Sequence, residues 1–235
     1  MGVRALVINP DGNCPAGMVG DRLADHGVEL DELVVVDDPL APTSHRAFPD
    51  PEGYDLVVSM GSPWSVYDSA LIGTWIGRHV DVLRRAHAAD VPVLGICFGG
   101  QVLAAALGGT VVRAEQAEFG WGKVETTVPD LIAPGPWFQW HVDRFNLPDD
   151  VEVLAHNEAA IQAYRKGRSF GVQFHPELTV SILERWLVDA THDELALLDG
   201  TPDGLLAETV ERQREARPHC DALVDHYLAD IARLI

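Results

Sequence analysis

Short runs rich in valine, isoleucine and leucine alternate with stretches whose apolar positions recur every three or four residues, and this alternation holds as far as Gly109. Residues 3–8, 33–36, 55–60 and 91–96 read as buried strands, because continuous β-branched runs suit a sheet covered on both faces. Helical spacing predicts a helix over 21–26, stopped by Gly27, and another over 71–89 carrying Leu71, Ile72, Trp75, Ile76, Val80 and Leu83. A third begins after Cys97, where Val102, Leu103, Ala106 and Leu107 share one face before the Gly108-Gly109 stop. Strand and helix in strict alternation mean an open α/β sheet, mostly parallel and flanked by helices.

Beyond Thr110 the period changes. Residues 110–113, 123–127, 151–156, 160–165 and 169–174 read as short strands, the last two joined across Lys166-Gly167, and such pieces predict a small antiparallel extension at one edge. The proline-rich stretch 37–53 is read as a surface connector. Residues 178–189 form an amphipathic helix, and 191–235 is a charged helical extension, interrupted near Pro218, that packs on the domain formed by 1–190.

Composition narrows the chemistry. A net charge of -19, with Lys123 and Lys166 the only lysines among 17 basic residues, leaves no basic stripe for a phosphate backbone, so nucleic acid is not expected as a partner. No apolar run is long enough to cross a bilayer, and the chain enters a strand at once, so no membrane partner and a cytoplasmic location are expected. The odd set Cys14, Cys97 and Cys220 argues against a disulfide framework, and the ten histidines show no metal-ligand spacing. Neither a metal nor a cofactor is expected.

Cys97 stands where the strand period gives way to the helix period, flanked as Gly95-Ile96-Cys97-Phe98-Gly99. This is the thiol counterpart of the Gly-x-Ser-x-Gly nucleophile elbow, in which small neighbours permit a strained turn that exposes the nucleophile. The helix N-terminus would favour negative charge on sulfur, and the backbone N–H of Phe98 would face a developing oxyanion. A cysteine nucleophile needs a base and a group to orient that base. His175-Pro176-Glu177 offers both: extended backbone places His175 and Glu177 on one face, and Pro176 holds that backbone extended.

The Gly-Ile-Cys-Phe-Gly-Gly-Gln segment at 95–101, followed by His-Pro-Glu at 175–177, resembles the class I (triad type) glutamine amidotransferases, and the likeness extends over roughly residues 3–190. Val-Tyr-Asp at 66–68, Phe-Gly-Trp at 119–121 and the Trp-His-Val-Asp run from 140 are similar to stand-alone members related to the glutaminase domain of GMP synthetase. The resemblance implies a flavodoxin-like fold. It implies that Cys97 attacks the side-chain amide of glutamine to give a γ-glutamyl thioester and release ammonia, with His175 as base and then acid and Glu177 as its orienter. Phe98 and the Gly61-Ser62 turn would hold the oxyanion, and Gln101 would help seat the substrate. The loop formed by Trp140, His141, Val142 and Asp143 would meet the amino-acid end of glutamine, with His141 equally able to serve as that loop's support. Many family members carry Gly-Gly-Pro where this chain has Gly61-Ser62-Pro63, and a serine there would be strained if the position needed positive φ.

Three functions follow from these residues. The first is a glutaminase that delivers ammonia to a synthetase on a separate chain. The second is a stand-alone hydrolase of γ-glutamyl amides or peptides, which shares the thioester and differs in the amine that leaves. The third, a non-catalytic glutamine-binding regulator, has no need of an intact Cys, His and Glu set.

Overall fold

The structure is a computed structural model that describes residues 2–235. One nine-stranded sheet organises it. The strands are β1 (Arg4–Asn9), β2 (Glu29–Val34), β3 (Leu56–Ser59), β4 (Val93–Ile96), β5 (Thr110–Thr126), β6 (Gly135–Asn146), β7 (Glu152–His156), β8 (Ile161–Lys166) and β9 (Ser169–Val172). Their spatial order is β2-β1-β3-β4-β9-β8-β7-β5-β6. The first five in that order run parallel and the remaining four continue antiparallel; residues 169–172, expected within the antiparallel extension, instead form β9, parallel to β4 inside the sheet.

The helices are α1 (Gly17–Asp25), α2 (Ser69–Ile72), α3 (Ile76–Ala88), α4 (Phe98–Ala106), α5 (Val180–Asp189), α6 (His192–Leu195) and α7 (Pro202–His226). They cover both faces of the parallel strands. Alternation along β1 shows the division: Ala5 and Val7 join a core under α1, α5 and α7, whereas Leu6 and Ile8 join one under α3 and α4. Burial on both faces accounts for the unbroken apolar runs of the parallel strands.

Four further details differ from the sequence reading. The second strand begins at Glu29, four residues before the apolar run, because β2 is the sheet's edge and polar residues there reach water. The single helix expected over 71–89 is two, α2 and α3, separated by a turn in which buried Trp75 donates from its indole to the Pro42 carbonyl at 3.0 Å. The strands expected at 110–113 and 123–127 are parts of one long β5, irregular between Arg113 and Glu118. Helix α7 runs through Pro218 without ending, and Ala216, Cys220, Leu223 and Val224 seal it against the core. That burial offsets the backbone hydrogen bond a mid-helix proline removes.

A further correction bears on the site. Trp140, His141, Val142 and Asp143, expected as a loop, lie inside strand β6. Its inward positions are Trp137, Gln139, His141, Asp143 and Phe145, all buried, and the middle three are polar. Polar side chains at inward positions erase the hydrophobic alternation by which a strand is recognised.

Candidate active site

Strand β4 ends at Ile96 and α4 starts at Phe98, so Cys97 alone makes the turn, with φ 51° and ψ -110°. No β-carbon-bearing residue adopts this conformation without strain, and the neighbours hold it there. The Cys97 N–H donates to the Val172 carbonyl at 2.8 Å, and its own carbonyl accepts from the Gln101 N–H at 2.9 Å. A β-carbon on Gly95 would lie 2.7 Å from the Gly99 carbonyl oxygen, and one on Gly99 would overlap the Ser59 backbone. The glycine pair is therefore a packing requirement of the elbow.

His175 follows β9, anchored by its N–H to the Phe138 carbonyl at 2.8 Å. Its Nδ1–H donates to Glu177 Oε1 at 2.7 Å, and the Glu177 side chain is fully enclosed. The Glu177 carbonyl accepts the Met18 N–H at 3.0 Å, tying the start of α1 to the same turn. Burial opposes charge on the imidazole, yet the Glu177 carboxylate and the neighbouring Cys97 sulfur outweigh it and push His175 up from its ordinary value of 6.5 to about 10. The proton thus rests on the ring; His175 lines the cavity that holds Cys97, and its buried Nε2 makes no hydrogen bond to the described residues.

The cavity has a volume of about 540 Å³. Besides Cys97 and His175 its walls include Ser62, Phe98, Gln101, Trp140, His141, Val142 and Asp143, so the structure brings nearly all the sequence-predicted residues to one place. Glu177 stands behind His175, and Gly61 sits between His175 and Cys14: a β-carbon on it would be 3.2 Å from His175 Cε1 and 3.1 Å from Cys14 Sγ. Ser62 is not among the described residues with positive φ, so serine in place of the usual glycine brings no backbone strain.

Strand β6 is fastened to the site by a buried polar network. The Asp143 carboxylate accepts from Ser65 Oγ at 2.5 Å and Tyr67 OH at 2.8 Å, which pins the turn after β3 to β6. Gln101 Nε2 donates to the Asp143 carbonyl at 3.3 Å. His141 Nδ1–H donates to that same carbonyl at 3.0 Å, and its Nε2 lies 3.1 Å from Glu118 Oε2. Nδ1 is thus engaged by the backbone, whereas the buried Nε2 makes no hydrogen bond to the described residues.

Several residues at the site escaped the sequence. Gln173, buried, approaches Cys97 Sγ with its Nε2 at 3.7 Å. Cys14, which the sequence marks only as one of an odd set of cysteines, lies in the cavity wall, and burial raises its thiol well above the ordinary range. Asp38, Pro39 and Leu40 show that the connector 37–53 also walls the cavity. Trp186 packs its ring edge against His175 with centroids 4.8 Å apart.

The family model for class-I glutamine amidotransferase matches residues 19–190, which contain the elbow, the turn after β3, β6 and the His-Pro-Glu segment. The chain belongs to the class I glutamine amidotransferases. A glutamine-hydrolysing GMP synthase from Aquifex aeolicus is 32% identical over 188 residues, covering 75% of this chain and 33% of the relative. The chain thus spans about a third of the length of the curated relatives it matches. A solved glutamine amidotransferase from Thermotoga maritima is 27% identical, with a TM-score of 0.80 over 97% of this chain and 99% of that one. A second, from Methylobacillus flagellatus, is 21% identical with a TM-score of 0.84 over 98% and 96%, a likeness of fold. This amidotransferase therefore shares the mostly parallel sheet and flanking helices of its family.

Proposed function

We propose that the protein hydrolyses the side-chain amide of glutamine through a γ-glutamyl thioester on Cys97 and passes the ammonia to a separate synthetase. The observation that carries this reading is the convergence of a strained cysteine at the α4 N-terminus with a buried His175–Glu177 pair in one cavity. The helix N-terminus and the imidazolium both favour negative charge on sulfur. Sulfur adds to the amide carbon, and the oxyanion is held by the Phe98 N–H with help from the Gly61-Ser62 turn. His175 then gives its proton to the departing nitrogen and afterwards takes one from the attacking water, while Glu177 keeps the ring oriented and stabilises its charged form. Gln101, Trp140, Val142 and Asp143 form the wall for the amino-acid end of the substrate, and His141 supports β6 through its hydrogen bond to the Asp143 carbonyl.

The name of the glutamine-hydrolysing GMP synthase relatives supports a synthetase as acceptor: held against the cavity mouth, it would take up ammonia before it is protonated in water. The cavity itself favours a second reading. At about 540 Å³ it exceeds what the few heavy atoms of glutamine fill, which suits a γ-glutamyl amide with a larger leaving amine.

The test is to incubate purified protein with glutamine and with γ-glutamyl amides, quantifying glutamate and the released amine beside the Cys97→Ala variant. Turnover that disappears in the variant while its thermal unfolding stays intact is the expected result. Undiminished hydrolysis by Cys97→Ala would rule the mechanism out.

A further inference from the structure

The thioester mechanism gives the cavity two ends. The amino-acid end lies along β6, and the leaving amine must depart on the side of His175, which protonates it. Trp186 borders His175, and Asn13 ties Trp186 to Asp11 and Asp189, so a substituent on that nitrogen that passes the imidazole would meet them.

This end is acidic, and the cations that bear on it are the His175 imidazolium and, from outside the cavity wall, Arg185. Among the described residues lining the cavity, Asp11, Asp38, Asp143, Asp189 and Glu194 are carboxylates, and none is lysine or arginine. Two of the five are committed elsewhere: Asp143 binds Ser65 and Tyr67, and Glu194 closes the capping box of α6 with Thr191. Asp11 is different. It is only 8% exposed, its Oδ1 accepts the Asn13 N–H at 3.0 Å, and its Oδ2 is buried without a partner among the described residues. A buried carboxylate oxygen with no donor is costly and points to a group that arrives with the ligand. Burial first, and Asp189 nearby, raise the Asp11 carboxyl above its ordinary value, so an arriving positive charge would relieve both effects.

The surroundings are fixed in place. Trp186 donates from its indole to the Asn13 carbonyl at 2.9 Å, and Asn13 Nδ2 donates to Asp189 Oδ2 at 3.3 Å, so one residue joins the Trp186 ring, Asp11 and Asp189. An indole ring beside two carboxylates suits an alkyl chain that ends in an ammonium.

We propose that this end of the cavity is a subsite for a cationic leaving amine, so that in the second reading, hydrolysis of a γ-glutamyl amide, the substrate is the amide of an aliphatic diamine. The inference rests on the thioester reading above. Cys97 sulfur forms a bond to the γ-carbonyl carbon and the C–N bond breaks. The departing nitrogen takes the His175 proton while the distal ammonium remains against Asp11 and Asp189. Water then cleaves the thioester to glutamate and regenerates the thiol.

The experiment measures binding and turnover separately. Cys97→Ala protein, which cannot form the thioester, is titrated calorimetrically with mono-γ-glutamyl diaminobutane and with the neutral γ-glutamyl pentylamide of similar shape. The expected result is binding of the cationic amide at least about tenfold tighter, as a charged hydrogen bond warrants. Adding Asp11→Asn, which keeps the acceptor for the Asn13 N–H, together with Asp189→Asn should bring that ratio close to one. Asp189→Asn alone, at an exposed position, should lower it about threefold even if the double variant fails to fold. Equal affinities in the parent, or a ratio unmoved by the substitutions, overturn the subsite. Wild-type protein assayed with both amides and glutamine separates the two claims. Hydrolysis without charge preference defeats the subsite alone, whereas charge-selective binding with no turnover of any amide defeats the thioester reading alone.

Discussion

Replacing Glu177 by glutamine isolates the electrostatic part of the site, because the new side chain keeps the shape and an acceptor for the Nδ1–H of His175. The carboxylate is fully enclosed and its oxygen lies 2.7 Å from the ring nitrogen. With charge centres roughly 4 Å apart and an effective dielectric constant of about 20, the lost attraction is about 4 kcal/mol. The glutamine carbonyl returns about 1.5 kcal/mol as a neutral hydrogen bond. The remaining loss of about 2.5 kcal/mol predicts a kcat reduced roughly a hundredfold, if the imidazolium is needed in the transition state.

The pH dependence has a definite sign. His175 is raised from 6.5 to about 10 in the folded protein, so its ion pair contributes fully to stability below about pH 6.5, and that contribution is lost as pH rises through about 10. In Glu177→Gln this decline should flatten, because the carboxylate that raises the imidazole is gone. Steady-state kinetics at neutral pH and urea unfolding midpoints from pH 6 to 10 read the two effects together. A kcat within about threefold of wild type, or an unchanged pH slope of stability, would refute the electrostatic role of Glu177.

Other outcomes test neighbouring parts of the account. Cys97→Gly should unfold at a higher temperature than Cys97→Ala, by an amount equivalent to about 1 kcal/mol, since glycine adopts φ 51° without strain; equal melting temperatures would mean the elbow stores none. Gly61→Ala, whose β-carbon would press on His175 and Cys14 at 3.2 and 3.1 Å, should lower kcat about tenfold or more with little change in urea midpoint. Brief alkylation at neutral pH should label Cys97 and spare Cys14 and Cys220, whose thiols burial raises, as peptide mass spectrometry would show.

The legibility of this chain followed the apolar residues. The parallel strands and the elbow could be read because burial on both faces leaves continuous β-branched runs and because a cysteine between two glycines marks a change of period. The polar edge strand β2 and the inward polar face of β6 could not, since each breaks the hydrophobic pattern for a different reason: one meets water, the other lines the cavity. His175 and Glu177 were accessible through their spacing on extended backbone. Asp11, Cys14, Gln173 and Trp186 were not, because they meet only through the folding of distant segments, and nothing local in the sequence marks them.

The central claim is that Cys97 carries the γ-glutamyl group. Acid quenching during turnover of glutamine or a γ-glutamyl amide, followed by peptide mass spectrometry, tests it directly. The account predicts one γ-glutamyl adduct on the peptide containing Cys97, labile to hydroxylamine and absent from Cys97→Ala. Continued hydrolysis with no adduct at Cys97, or an adduct on a different residue, would contradict it.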